Sequence, residues 1–77
     1  MNASCNNLRY ISGKIENCSE LEKLFLDKND LQMLPVEVGS LIKIKILDVS
    51  FNRLETIPTS LKDLKELVSF NMRNNKI

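Results

Sequence analysis

Apolar residues recur along this chain with a period of 23. Two consecutive stretches place them at matching positions: Leu21, Leu24, Leu26, Leu31, Leu34, Val38 and Leu41 in residues 21–43, then Ile44, Leu47, Val49, Leu54, Ile57, Leu61 and Leu64 in residues 44–66. Pro35 and Pro58 correspond, and one asparagine marks each copy at the same place, giving Asn6, Asn29, Asn52 and Asn75. Shorter copies flank these. Residues 1–20 carry Met1, Ala3, Leu8, Ile11, Ile15 and Cys18 at the apolar offsets, with Ser12 in the proline position, and residues 67–77 carry Leu67, Phe70, Met72 and Ile77. A period of this size means that no copy buries its apolar face alone and that stacked neighbours build one continuous core. The pattern therefore predicts one domain over residues 1–77, made of a partial copy (1–20), two full copies (21–43 and 44–66) and a partial copy (67–77).

Two shorter rhythms run inside each copy. Before the asparagine, residues alternate as a strand requires, so Leu24 and Leu26 point inward while Lys23, Phe25 and Asp27 point outward. Stacking the copies makes these strands neighbours in a short parallel sheet. The asparagine follows the strand, where a sharp turn leaves amide and carbonyl groups inside without strand partners. A short side chain carrying both donors and acceptors satisfies them, so Asn6, Asn29, Asn52 and Asn75 are expected to form a ladder. After Leu34 and Ile57 the prolines preset the backbone for the first turn of a short helix or 3-10 segment. Val38 with Leu41, and Leu61 with Leu64, then share its inner face. Residues 59–67, TSLKDLKEL, make the best helix candidate, whereas Gly39 predicts a less regular segment in the copy before.

The pattern L-x-x-L-x-L-x-x-N-x-L resembles that of leucine-rich repeats. Its 23-residue length, with L-P-x-x-[IVL] after the asparagine, is most similar to the intracellular class found in Ras-suppressor and Ras-scaffold proteins. The resemblance implies an α/β solenoid: a right-handed coil with a short parallel sheet on its concave face and short helical, 3-10 or irregular segments on the convex side. It also implies a signalling scaffold or adaptor whose partner is another protein, of the small-GTPase or phosphatase kind.

Composition narrows the alternatives. Seventy-seven residues give room for one small core. Eleven basic and ten acidic residues are mixed along the chain and leave a net charge of +1. That is no footprint for nucleic acid or for an anionic membrane surface. The first residues do not read as a signal peptide, and no apolar run is long enough for membrane insertion, so a cytoplasmic location is expected. The sequons at Asn2 and Asn17 then carry no weight. Cys18 shares its offset with Leu41 and Leu64, which predicts a small core residue rather than a disulfide or zinc partner for Cys5.

Nothing in the sequence reads as an active site. There is no histidine, the carboxylates are scattered over outward positions, the serines have no base, and there is no glycine-rich phosphate loop. The expectation is a non-enzymatic chain without cofactor or metal. Candidate binding residues are those facing outward from the strands, because the concave side of a solenoid is an extended binding surface. Most are polar, including Ser4, Ser50 and Ser69; Phe25 and Ile46 are not. They sit diagonally on adjacent strands, about 7–8 Å apart, and Lys23, Asp27, Asp48, Asn71 and Arg73 surround them. An apolar anchor with a charged rim is the make-up of a protein interface. Two other readings stay open: a structural excerpt of a longer solenoid, and the regulatory repeats of an enzyme whose catalytic domain lies elsewhere. Met1 and Ala3 at one end, and Leu67, Phe70 and Met72 at the other, occupy core offsets without a capping repeat. This predicts either a piece of a longer protein or end-to-end self-association through residues 68–73.

Overall fold

The computed structural model describes residues 1–77 and shows a short solenoid, 25 × 20 × 18 Å. Each complete copy contributes a three-residue strand and a five-residue 3-10 turn, the first coil adds a 3-10 turn and the last a strand. The strands are β1 (Lys23–Phe25), β2 (Ile46–Asp48) and β3 (Ser69–Asn71), all parallel and in the order β1-β2-β3. Their register is the sequence period: Lys23, Ile46 and Ser69 lie side by side, as do Leu24, Leu47 and Phe70, then Phe25, Asp48 and Asn71. Asn2 bridges Phe25 from the first coil and extends the last of these rows.

The core runs down the axis of the coil. Leu24, Leu26, Leu31, Val38, Leu41, Ile44, Leu47, Val49 and Leu54 are completely buried, and Ala3, Leu8, Ile11, Leu21, Ile57, Leu67 and Phe70 pack around them partly covered. Burial is therefore fullest in the two complete copies. Cys18 corrects its expected place. It is exposed although Leu41 and Leu64 at the same offset are buried, because the first coil has a neighbour on one side only. Met1, Met72 and Ile77 are exposed for the same reason.

On the convex side the 3-10 turns span Gly13–Asn17, Val36–Ser40 and Thr59–Asp63. Pro35 and Pro58 cap the last two at φ −70° and −68°, and Ser12 caps the first through its hydroxyl, which accepts the Lys14 amide at 3.2 Å. The helix expected over 59–67 stops at Asp63, because the chain must turn back at once to reach β3. Gly39 leaves its segment as long as the other two, against expectation. A β-carbon there would lie 2.4 Å from Ser60 Cβ and 2.5 Å from the Ser60 carbonyl oxygen. Glycine at this position allows two 3-10 turns to touch; it does not loosen either.

Candidate functional site

Three asparagines fasten each coil to the one before. The Asn52 amide nitrogen donates to the carbonyls of Leu26, Val49 and Ser50 at 2.9–3.1 Å, and its oxygen accepts the Leu31 amide at 3.0 Å. Asn29 and Asn75 repeat the arrangement 23 residues away, and the Asn29 oxygen takes both the Asn6 and Leu8 amides at 2.9 Å. Asn6 departs from the expected ladder. Its side chain is exposed and makes no hydrogen bond, and the carbonyl of Ala3, three residues before it, is instead taken by Asn29 at 3.0 Å. Immediately before each asparagine the backbone takes a left-handed conformation, at Cys5, Lys28, Phe51 and Asn74, with φ between 56° and 60°. That kink precedes the inward turn of Asn29, Asn52 and Asn75, and Asn6 follows the same kink but stays exposed. It was invisible in the sequence, since these four residues share no chemistry.

This scaffold presents the strands' outward residues as a face. Phe25 and Ile46 are half-buried; Lys23, which pairs with Ile46, and Arg73, two residues past the end of β3, are exposed. Phe25 lies between Asn2 and Asp48, while Ile46 lies between Lys23 and Ser69, so the two apolar side chains stand diagonally across β1 and β2. The Phe25 row has a local function of its own. Asn2, Asp48 and Asn71 each turn their side-chain oxygen back to accept the amide two residues on, at Ser4, Ser50 and Arg73, with distances of 3.0–3.1 Å. This fold of the side chain tightens the strand's exit. Phe25 is the one member of the row that cannot make it.

Two carboxylates on the face are oriented from below. The Ser50 hydroxyl donates to Asp48 at 2.6 Å, and the Ser4 hydroxyl donates to Asp27 of the next coil. Ser50 was expected outward and is instead buried, drawn beneath Asp48 by those bonds. On the flank leading into the strands, Lys43 meets Glu20 at 2.8 Å and Lys45 stands 3.8 Å from Glu22. The hydrogen bond and charge of Glu20 hold the Lys43 ammonium above the usual lysine range. Both pairs are exposed and contribute little to stability. They link equivalent positions on consecutive coils, so they fix spacing more than energy. No group of three or more metal-ligating side chains comes together, and no helix is long and apolar enough to cross a membrane.

Comparison with known proteins agrees with this architecture. The family model described as leucine-rich repeat matches residues 19–77. The chain is 36% identical over 69 residues to a probable disease resistance protein of Arabidopsis thaliana, covering 87% of this chain and 7% of the relative. It is 38% identical over 76 residues to adenylate cyclase of Schizosaccharomyces pombe (97% and 4%) and 33% identical over 69 residues to nephrocan of Mus musculus (88% and 13%). The chain thus spans a small part of each of these relatives. Proteins so differently named share with it a stack of coils, a class of structure whose general use is to bind other proteins. Repeated apolar offsets, parallel strands in register, inward asparagines and the matching family model all lead to one conclusion: the chain belongs to the leucine-rich-repeat family.

Proposed function

We propose that this chain binds a partner protein on its concave sheet, with Phe25 and Ile46 as the apolar anchor and Lys23, Asp27, Asp48, Asn71 and Arg73 as its polar rim. The observation that carries the reading is the odd member of the Phe25 row. Asn2, Asp48 and Asn71 bend back to secure the backbone, and the same position in β1 gives up that bond for an aromatic ring facing outward. Local stability does not ask for phenylalanine there, whereas a central aromatic in a ring of charges is what a protein interface uses. A role as a cytoplasmic signalling scaffold or adaptor goes with this reading, and a small GTPase or phosphatase is the partner class suggested by the resemblance.

Binding of a captured partner by the Phe25→Ala/Ile46→Ala variant tests the proposal. The double change is expected to weaken binding by about 2 kcal/mol or more, with the circular dichroism spectrum and melting temperature close to those of the parent, since neither side chain belongs to the buried core. Equal affinity of variant and parent would remove the concave face from consideration. A second reading is that the coils serve as the repeat region of a larger protein with catalytic parts of its own. It is favoured by coverage, because the chain matches 4% of an adenylate cyclase. Expression of the full reading frame, followed by assay of the chain with and without its flanks, separates the two.

A further inference from the structure

A second surface lies on the flank that follows the asparagines, away from the concave sheet. The largest groove of the molecule, about 490 Å³, is lined there by Arg9, Tyr10, Gln32, Met33, Glu55 and Thr56. These are two rows at the coil period: Arg9, Gln32 and Glu55 in one, Tyr10, Met33 and Thr56 in the other. Tyr10 is 74% exposed and Met33 is 62% exposed. Single exposed apolar residues are ordinary on a protein surface. Here two large ones occupy the same position on adjacent coils, inside a concavity.

The groove is held rigid from beneath. Leu8 and Leu31, two residues before Tyr10 and Met33, have their amides bound by the oxygens of Asn29 and Asn52 at 2.9–3.0 Å. Their carbonyls accept the Asp30 and Arg53 amides of the next coil at 2.8 Å. The side chains that follow are therefore presented from fixed backbone, which reduces the ordering cost of binding. A smaller depression of about 180 Å³ adjoins the groove, lined by Arg9, Asp30, Gln32 and Arg53. Arg53 stands 3.8 Å from Asp30, while Arg9 has no carboxylate within ion-pair distance. One end of the groove thus offers the unpaired guanidinium of Arg9 beside the ring of Tyr10, the middle Gln32 and the thioether of Met33, and the other end the carboxylate of Glu55 beside Thr56.

We infer that this flank is a docking groove for a short protein segment in which an apolar residue is flanked by an acidic residue on one side and a basic residue on the other. The acid lies over Arg9, whose planar fork of donors suits a carboxylate. The apolar side chain enters between Tyr10 and Met33, the latter flexible enough to adapt to it. The basic residue faces Glu55. This surface shares no residue with the concave anchor, so both can be occupied together and each fails independently of the other.

The test is a titration of the isotope-labelled whole chain with the capped peptide acetyl-Glu-Leu-Trp-Lys-amide and, separately, with its reversal acetyl-Lys-Trp-Leu-Glu-amide, read by amide chemical shifts. Shifts are expected at Arg9, Tyr10, Met33 and Glu55, with Phe25 and Ile46 unmoved. Arg9→Glu should reduce affinity about tenfold or more, as loss of a charge-assisted contact plus repulsion requires, and Arg9→Lys should recover part of it. Arg9 is exposed and outside the core, so these variants fold as the parent does. A peptide with lysine in place of its glutamate should reverse the order, preferring Arg9→Glu. Shifts centred on the concave sheet, affinity indifferent to Arg9→Glu, or no shifts with either peptide at millimolar concentration would each overturn the proposal.

Discussion

Among single residues, the asparagines show how position decides cost. Replacing Asn52 by leucine strands the Leu31 amide and removes the donor that serves three carbonyls, in a side chain that is only 8% exposed. At about 1–3 kcal/mol for each buried group left unpaired, urea denaturation should show loss of most of the stability. Asn6→Leu removes no side-chain hydrogen bond and should stay within about 0.5 kcal/mol of the parent. Equal losses from the two changes would mean that the ladder is not what holds the coils. Lys28 offers the opposite sign. It sits at φ 58° with an exposed side chain that forms no ion pair. The left-handed region costs a non-glycine residue about 1–2 kcal/mol, and glycine gives back part of that through its own entropy. Lys28→Gly is therefore expected to raise the denaturation midpoint by the equivalent of about 0.5–1 kcal/mol; a lower midpoint would contradict the strain. The asparagines were legible because spacing alone sets them apart. The left-handed position was not, since lysine and phenylalanine do not advertise such a backbone.

The elements are too short to be stable alone, and the sequence misjudged them where contact with a neighbour overrides local preference. TSLKDLKEL has helical periodicity, yet the chain has one 3-10 turn there before it must return to the sheet. Gly39 looked like a weak point and is instead where two turns touch. Gly39→Ala should cost on the order of 1–3 kcal/mol as an overpacked contact, since the atoms in the way include the Ser60 backbone. Gly13→Ala meets only the mobile end of the Glu37 side chain, at 3.0 Å, and should be nearly neutral. Thermal melts of the two variants distinguish a packing role from a conformational one, which would make both changes alike. The face at Phe25 and Ile46 was readable from alternation, because a strand has two sides and the inner one was already assigned. The flank at Tyr10 and Met33 was not, because it belongs to neither strand nor 3-10 turn and has no periodicity inside a copy.

Over the whole molecule, stability is carried by contacts between adjacent coils, so it should fall from the middle outward. The Leu26 amide, bonded at 2.8 Å to Asp48, and the Leu31 amide, bonded to Asn52, join the two complete copies. Native-state hydrogen exchange should find these among the slowest amides, and those of Ala3 and Cys5, which bond across to Phe25 and Asp27, among the faster ones. Uniform protection throughout would mean a single cooperative unit without end fraying.

The ladder also bears on how quickly such a chain can find its structure. Its bonds between coils join residues 21 to 26 apart, in the first coil as in the last. The entropy of closing a loop of that length is spent anew for each coil but never grows, because no bond waits on a more distant part of the chain. Mean contact separation therefore stays fixed however many coils are stacked, and as a fraction of chain length it falls with every addition. Folding then runs as a zipper: docking one coil on another, between residues 21 and 66 where burial is deepest, is the slow event, and the coils on either side follow on a surface already made.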